Sequence, residues 1–309
     1  MNGPQQSAET RPDKSVIEIA LSTLDDRLKT VRKRFSQAVR HGGKNAERVH
    51  QLRVATRRAA AALNLYHDFV PRKSAKKMDA RLNRIRRTAG DIRDCDMLLA
   101  RFSSEVAQAE SPSFIKRTAS QRVAAYRELC RLHQNQSSSG RLKRQTRKLL
   151  AKTRHKAERR PRLASQDFDE WAPERLRVFV NEFFEAAAPD LRDFCQLHRF
   201  RIRSKALRYA MELVASTFPP EFNDELYPVI ERLQTLLGHI NDEANFLKSV
   251  GTRLANQAKP GDVDGLKHRM AQEQHALDEL EREFADWWTP ARRETLQRRF
   301  EEMIAPRAA

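Results

Sequence analysis

The sequence is poor in the residues on which several common protein classes depend. Only 9 of its 309 residues are glycine, only 3 are cysteine, and aromatic side chains make up 7%. Three cysteines without paired spacing exclude a disulfide scaffold and a zinc site of four cysteines, and fit a reduced, cytosolic protein. Scarce glycines and aromatics disfavour β-sandwiches, barrels and glycine-rich nucleotide folds. No apolar run approaches the ~18 residues of a membrane span, and the polar start lacks the apolar stretch of a signal peptide.

Acidic residues are scarce in the first half of the chain. Residues 1–160 hold 38 Lys and Arg against 15 Asp and Glu, whereas residues 161–309 hold 21 against 26. The whole net charge of +18 therefore arises in the first half. Such self-repulsion opposes a compact fold, and a bound polyanion would relieve it. We expect a polyanionic partner; the alternative is a basic surface that only keeps the protein soluble.

Apolar residues recur at the helical period along most of the chain, and no alternating β pattern is present. Ser15 to Glu18 reads as a capping box that starts the first helix. A later helix over 74–110 either continues through Gly90 or is interrupted there. We predict an all-α protein with four parts: a disordered tail (1–14), a first helical half (15–160), a connector without periodicity (161–172) and a second helical half (173–305), whose first helix starts near Glu174.

An internal repeat relates the two halves at a constant offset of 148 residues. His50 corresponds to His198, Arg53 to Arg201 and Asp94 to Asp242, and the register holds over about fifty residues without a gap. The repeat predicts duplication of one helical unit. The two copies would form pseudo-symmetric antiparallel helical bundles with a basic groove between them.

The repeated motif places basic side chains on one face of a helix in each copy. At about 100° per residue, Arg53 and Arg57 fall close to His50, and the second copy repeats this arrangement. The candidate binding residues are His50, Arg53, Arg57, Arg58, His198, Arg201, Lys205 and Arg208. Guanidinium groups pair with phosphate oxygens as bidentate forks, so an extended cationic array suits a long repetitive anion. The alternative is a solvated basic face on each helix.

A second repeated segment spans residues 90–96 and 238–242. Asp94 and Asp242 either hold a groove arginine in its rotamer or cap a helix. Arg93 is a further candidate for the groove, although its counterpart is Asn241. The helix over 141–160 carries ten basic residues and one acid, and either extends the phosphate surface or is solvated.

Residue patterns typical of enzymes are missing from this sequence. Glu47 and His50 have the spacing of one half of a di-iron motif, but the equivalent position to Glu47 is Cys195, so we expect no metal. P-loop, GxGxxG and HExxH motifs do not occur, and Cys195 near His198 has no third group to orient a base. We therefore expect no enzymatic activity and no cofactor.

The motifs in combination resemble the CHAD family, the conserved-histidine α-helical domains. The resemblance rests on residues 50–58, 90–96 and 198–209 and covers most of residues 15–305. It implies two pseudo-symmetric helical bundles with a basic central groove that binds inorganic polyphosphate, often at polyphosphate granules in bacteria. Some members carry a fused triphosphate-tunnel enzyme domain, whose alternating Glu-x-Glu-x-Lys signature is not found here.

The function that follows is non-enzymatic polyphosphate binding in the cytoplasm, targeting or organising granules. Two alternatives stay open: a nucleic-acid binder that uses the same surface, with nucleic acid otherwise a weaker competitor, and a phosphohydrolase. Unperturbed histidines titrate near pH 6.5. If His50 and His198 contact the polyanion, we expect binding to tighten as the pH falls from roughly 7.5 to 6, because both rings become positively charged.

Overall fold

Twelve α-helices form the part of the chain that the computed structural model describes, residues 15–257 and 259–305. Within these ranges there is no β-strand, as predicted, and a single antiparallel bridge joins Ser15 to Asp167. The predicted tail at 1–14 lies outside the described residues. The first six helices are α1 (Val16–His41), α2 (Ala46–Leu65), α3 (Arg72–Arg101), α4 (Glu105–Glu110), α5 (Pro112–His133) and α6 (Arg141–Glu158). The other six are α7 (Pro161–Ala164), α8 (Phe168–Ala187), α9 (Phe194–Val214), α10 (Tyr227–Gln257), α11 (Val263–Trp287) and α12 (Pro290–Ile304).

The start of α1 is held by the second half of the chain rather than by its own side chain. The predicted capping box does not form, because no backbone N–H bonds to the Ser15 side chain. Instead the backbone N–H of Val16 donates to the carbonyl oxygen of Gln166 at 3.1 Å. From there α1 buries one apolar stripe at helical spacing, which includes Leu24, Leu28 and Phe35.

The helix expected over 74–110 is divided, but not at the glycine. α3 continues through Gly90 and ends at Arg101, and α4 follows as a separate short helix. Gly90 leaves room for the Arg53 guanidinium in its present position, because a Cβ there would collide with Nη1 and the arginine side chain would have to shift. Gly90 therefore lets a side chain from α2 lie across α3.

The connector predicted at 161–172 contains helical structure. α7 begins at its first residue, and α8 begins at Phe168, six residues before the expected start. The Asp167 side chain caps α8 by accepting hydrogen bonds from the N–H groups of Asp169 and Glu170. Pro173, next to the expected helix start, lies inside α8, where it removes one helical hydrogen bond without ending the helix.

The two halves share one continuous hydrophobic core. In the first half α1 packs against α2, α2 against α3, and α3 against α5; in the second, α8, α9, α10 and α11 pack in sequence. Trp171 of α8 crosses between them, stacking on Tyr66 at 5.6 Å and meeting Phe69 edge-on at 5.9 Å between ring centroids. Because these rings are almost fully buried, they hold α8 against the end of α2.

A partly buried ion-pair network ties the halves together at another point. Arg101 at the end of α3 donates to Glu243 of α10 at 2.5 and 2.6 Å and to Glu273 of α11 at 3.0 Å. Its guanidinium also lies over the Phe246 ring. With the shared core, this network fixes α2 against α9, the two helices that carry the repeated motif.

Candidate functional site

The helices α2 and α9, which carry the repeated motif, have equivalent N-caps and equivalent side-chain hydrogen bonds. Asn45 caps α2 by accepting from the N–H of Glu47 at 3.0 Å, and Asp193 caps α9 by accepting from the N–H of Cys195 at 2.9 Å. Asn45 and Asp193 are 148 residues apart, which is the offset of the repeat. The same offset relates two further hydrogen bonds, Thr56 to the Arg53 carbonyl and Ser204 to the Arg201 carbonyl. These equivalences support the duplication, which stays a prediction.

The packing of α2 against α9 brings basic side chains from both halves within electrostatic reach of one another. Arg57 on α2 interacts with Arg201 and Lys205 on α9 and with Arg53 on its own helix. It also acts on Arg86 of α3. We call this set the central cluster; its members are His50, Arg53, Arg57, Arg86, Arg93, Arg201 and Lys205.

The cations at the middle of the central cluster form no direct ion pair with a described carboxylate. Among the described residues, no carboxylate lies within 4.0 Å of the guanidinium of Arg57 or Arg201 or the ammonium of Lys205. The Arg201 Nε is a buried donor without a hydrogen-bond partner in the same residues. An unpartnered buried donor costs about 1–3 kcal/mol, so this arrangement is one that an incoming anion would stabilise.

Lys205 shows the strength of the local field most clearly. Burial, followed by repulsion from Arg201 and Arg57, lowers the pKa of its ammonium group from 10.5 to about 7. Asp242 opposes this shift and Arg208 adds to it. At neutral pH the free protein therefore holds Lys205 only partly protonated.

Arg53 is positioned by α3. Its guanidinium passes over Gly90 and donates to the carbonyl oxygen of Arg86 at 3.2 Å. Burial, and then repulsion from Arg57, lowers the pKa of Arg53. The Nη1 group of Arg53 is thus held by the backbone of α3, while the other N–H groups of this guanidinium stay available.

Arg86 is a member of the cluster that the sequence analysis missed. Burial is the largest cause of its lowered pKa, and repulsion from Arg57 is the second largest. Tyr209 of α9 also faces Arg86. Arg86 precedes Arg93 by seven residues, a spacing that places two residues on one face of a helix. Since Arg93 was already a candidate, this spacing was the signal for Arg86. Arg93 itself acts on His50 and Arg53 and so belongs to the cluster.

The two candidate histidines differ in their surroundings. His50 is half-buried, and burial lowers its pKa, with repulsion from Arg93 acting in the same direction and Glu47 opposing it. The ring of His198 is exposed and stacks against Phe194, with centroids 6.4 Å apart. His50 is therefore largely neutral at pH 7, and Lys205 becomes the group in the cluster that titrates there.

Two of the predicted arginines have carboxylate partners. Arg58 on α2 forms an ion pair with Glu212 on α9: its Nη2 donates to Oε1 at 3.2 Å, and its Nε lies 2.9 Å from Oε2. This pair links α2 to α9. Arg208 lies 3.4 Å from Glu231 and over the Tyr209 ring. These side chains border the cluster, but their charges are partly balanced.

Asp94 and Asp242 lie in the middle of α3 and α10, so neither caps a helix. Burial raises the pKa of Asp94, while the Arg53 charge lowers it. Asp242 interacts with Arg201 and Lys205 without a direct ion pair. Each aspartate thus faces the arginine that the repeat assigns to it, and the cluster remains predominantly cationic.

Other basic features have separate explanations. Arg203 donates to Glu182 of α8 at 2.7 Å. The basic helix α6 buries Leu142, Leu149 and Ala157 together with two threonines. In the described ranges, no three His, Cys, Asp or Glu side chains are grouped so that they could hold a metal. None of the helices there is long and apolar enough to cross a membrane.

Comparison with known proteins gives one family and two related folds. The model of the CHAD domain family matches residues 22–248. The crystal structure of the CHAD domain from the plant Ricinus communis is 20% identical, with a TM-score of 0.69 over 100% of this chain and 98% of that chain. PptA from Streptomyces chartreusis is 15% identical, with a TM-score of 0.62 over 89% and 99%. Among curated proteins no sequence matches significantly. Identities this low show a shared fold alone.

Replacing Lys205 by methionine should stabilise the free protein at about pH 6. The lysine titrates near 10.5 in the unfolded chain and near 7 in the folded protein. Below about pH 7 the folded state bears the full cost of the buried charge, and this cost falls as pH rises toward 10.5. We expect a gain of up to about 5 kcal/mol at pH 6, since each pKa unit corresponds to about 1.4 kcal/mol.

Urea unfolding at about pH 6 and about pH 9.5 measures this difference. The gain should be smaller at the higher pH. The exposed Lys248, replaced in the same way, is the control and should change stability little at either pH. A Lys205→Met protein that is less stable than wild type at pH 6 would contradict the account.

Proposed function

Since this chain belongs to the CHAD family, we propose that it binds inorganic polyphosphate at the central cluster and does not turn it over. The observation that carries this proposal is the meeting of Arg57 from the first half with Arg201 and Lys205 from the second. Asp242 acts on Arg201 and Lys205 from a distance, but no carboxylate of the described residues lies within 4.0 Å of the three cationic groups. A bound polyanion would replace their mutual repulsion by attraction.

The chemistry of the cluster suits a chain of phosphates. Arginines offer planar forks that can bind two oxygens of one phosphate, and Lys205 adds a point charge. The cations extend along α2 and α9 instead of surrounding one centre. Each contact adds the release of a condensed counter-ion, so affinity grows with the number of phosphates engaged.

The scarcity of stacking surfaces favours polyphosphate over nucleic acid. Base stacking on aromatic rings supplies much of the affinity for single strands. Tyr209, the aromatic residue that faces the cluster cations, is itself buried. A site of this kind would recognise charge density, which is higher in polyphosphate. Binding of this polymer would also place the protein on polyphosphate granules in the cytoplasm.

Charge reversal in the cluster should abolish most of the affinity. In the variant Arg201→Glu with Lys205→Glu, two attractive contacts become repulsive, and we expect long-chain polyphosphate to bind at least about 100-fold more weakly at physiological salt. The far-ultraviolet circular dichroism should stay that of a helical protein. Fluorescence anisotropy with labelled polyphosphate measures the affinity.

The matched control is Lys248→Glu with Lys267→Glu, which changes the net charge equally at exposed positions outside the cluster. It should retain affinity within about threefold, because charges more than a Debye length of about 8 Å away are screened. Equal losses in both variants would mean that only net charge matters. Tighter binding of single-stranded DNA than of polyphosphate, at equal phosphate concentration, would contradict the proposed ligand.

Polyphosphate binding should be linked to protonation of Lys205. A bound phosphate chain raises the pKa of this ammonium group above its free value of about 7. Binding above pH 7 therefore takes up a proton, and affinity should increase about 10-fold from pH 8.5 to pH 6.5 before it levels off. Arg57, Arg201, Arg208 and Asp242 are the charged groups that face Lys205.

Lys205→Arg isolates this effect, because arginine stays charged throughout the range. This variant should bind polyphosphate with a nearly constant affinity between pH 8.5 and pH 6.5. His50→Gln should keep the wild-type pH dependence, since burial already holds His50 neutral. The reverse result, with the pH dependence lost in His50→Gln and kept in Lys205→Arg, would assign the proton to the histidine.

A further inference from the structure

A second basic cleft lies on the outer side of α1, where the start of α6 packs against it. It has a volume of about 530 Å³. Its basic lining residues are Lys29, Arg32, Lys33, Arg40 and Lys143, and its remaining lining residues are neutral. We call it the outer cleft. Like the central cluster, it gathers several cations without an acid in its wall.

Most of these charges are free to meet an anion. Lys29 pairs with Asp25 at 2.7 Å. Arg32, Lys33, Arg40 and Lys143 have no ion pair with any residue that the structure describes. Gly140, which lines the outer cleft, is also the N-cap of α6 and leaves that helix without a side-chain cap. The helix dipole adds to the positive potential there.

A smaller cleft of about 280 Å³ lies between α1 and α2. Arg27, Arg34, His50 and Arg58 are its basic lining residues, and Glu47 is its one acidic lining residue. We call it the middle cleft. It shares His50 with the central cluster, and Arg58 borders that cluster.

Arg34 connects the middle and outer clefts across α1. It donates to Gln51 of α2 and to Gln37 of its own helix, each at 2.9 Å. Gln51 lines the middle cleft and Gln37 lines the outer cleft. A basic and hydrogen-bonding surface therefore continues from the central cluster over α1 to the outer cleft.

We propose that a long phosphate chain bound at the central cluster crosses α1 by this surface and is held a second time in the outer cleft. This inference rests on the proposed function. A helix with its side chains is about 10–12 Å across, so only a phosphate chain long enough to cross α1 can reach both sites. Affinity should therefore depend on the length of the phosphate chain. Short chains occupy the central cluster alone, whereas long chains engage both sites and gain the effective concentration of a tethered second contact.

The test separates the two sites by chain length. The variant Lys33→Glu with Lys143→Glu alters two exposed side chains of the outer cleft. It should bind long-chain polyphosphate about 10-fold more weakly than wild type and bind tripolyphosphate equally well, within about twofold. Isothermal titration calorimetry at physiological salt measures both affinities. Arg201→Glu with Lys205→Glu should weaken the binding of both probes.

The control for charge alone is again Lys248→Glu with Lys267→Glu, which should leave both affinities nearly unchanged. If the outer-cleft variant binds long chains as well as wild type while the central variant loses both probes, the second site is wrong and the proposed function stands. If the central variant also binds both probes normally, the proposed function itself fails. An outer-cleft variant that loses affinity for a single-stranded oligonucleotide but not for long-chain polyphosphate would overturn the inference in favour of nucleic acid.

Discussion

The structure depends on a core that holds the basic side chains of α2 and α9 close together in spite of their mutual repulsion. Arg57 of α2 faces Arg201 and Lys205 of α9, and their repulsion, which Asp242 only partly offsets, opposes the packing of the two helices. The core that both halves share opposes this repulsion, and the rings of Trp171, Tyr66 and Phe69 contribute by holding α8 against the end of α2. Burial of aromatic side chains of this size contributes several kcal/mol each, enough to outweigh a few screened charge repulsions.

This balance leaves a group of cations in place before any anion is bound. The repulsion is present in the free protein and an incoming anion would relieve it, so the cluster is pre-organised for anions. Gly90 contributes by giving Arg53 room to lie across α3. Arg58 and Glu212 contribute differently, since their ion pair joins α2 to α9 beside the cluster without adding net charge.

The all-α fold could be predicted from the sequence, because it follows from the helical period of the apolar residues. The sequence also contains the offset that relates Arg53 to Arg201 and Asn45 to Asp193. It could not show the partners of individual charges: Glu212 for Arg58 and Glu182 for Arg203 come from other helices. The pH dependence was assigned to His50 and His198, whereas burial lowers the pKa of His50 and brings that of Lys205 to about 7. Burial depends on tertiary packing that periodicity does not reveal.

The central claim is that cations from the two halves repel one another in the free protein. A double-mutant cycle with Arg57→Met and Arg201→Met tests it by urea unfolding at neutral pH without polyanion, since methionine keeps the apolar stem and removes the charge. The account predicts that each single variant is more stable than wild type and that the double variant gains less than the sum. Strictly additive effects, or single variants that are less stable than wild type, would contradict it.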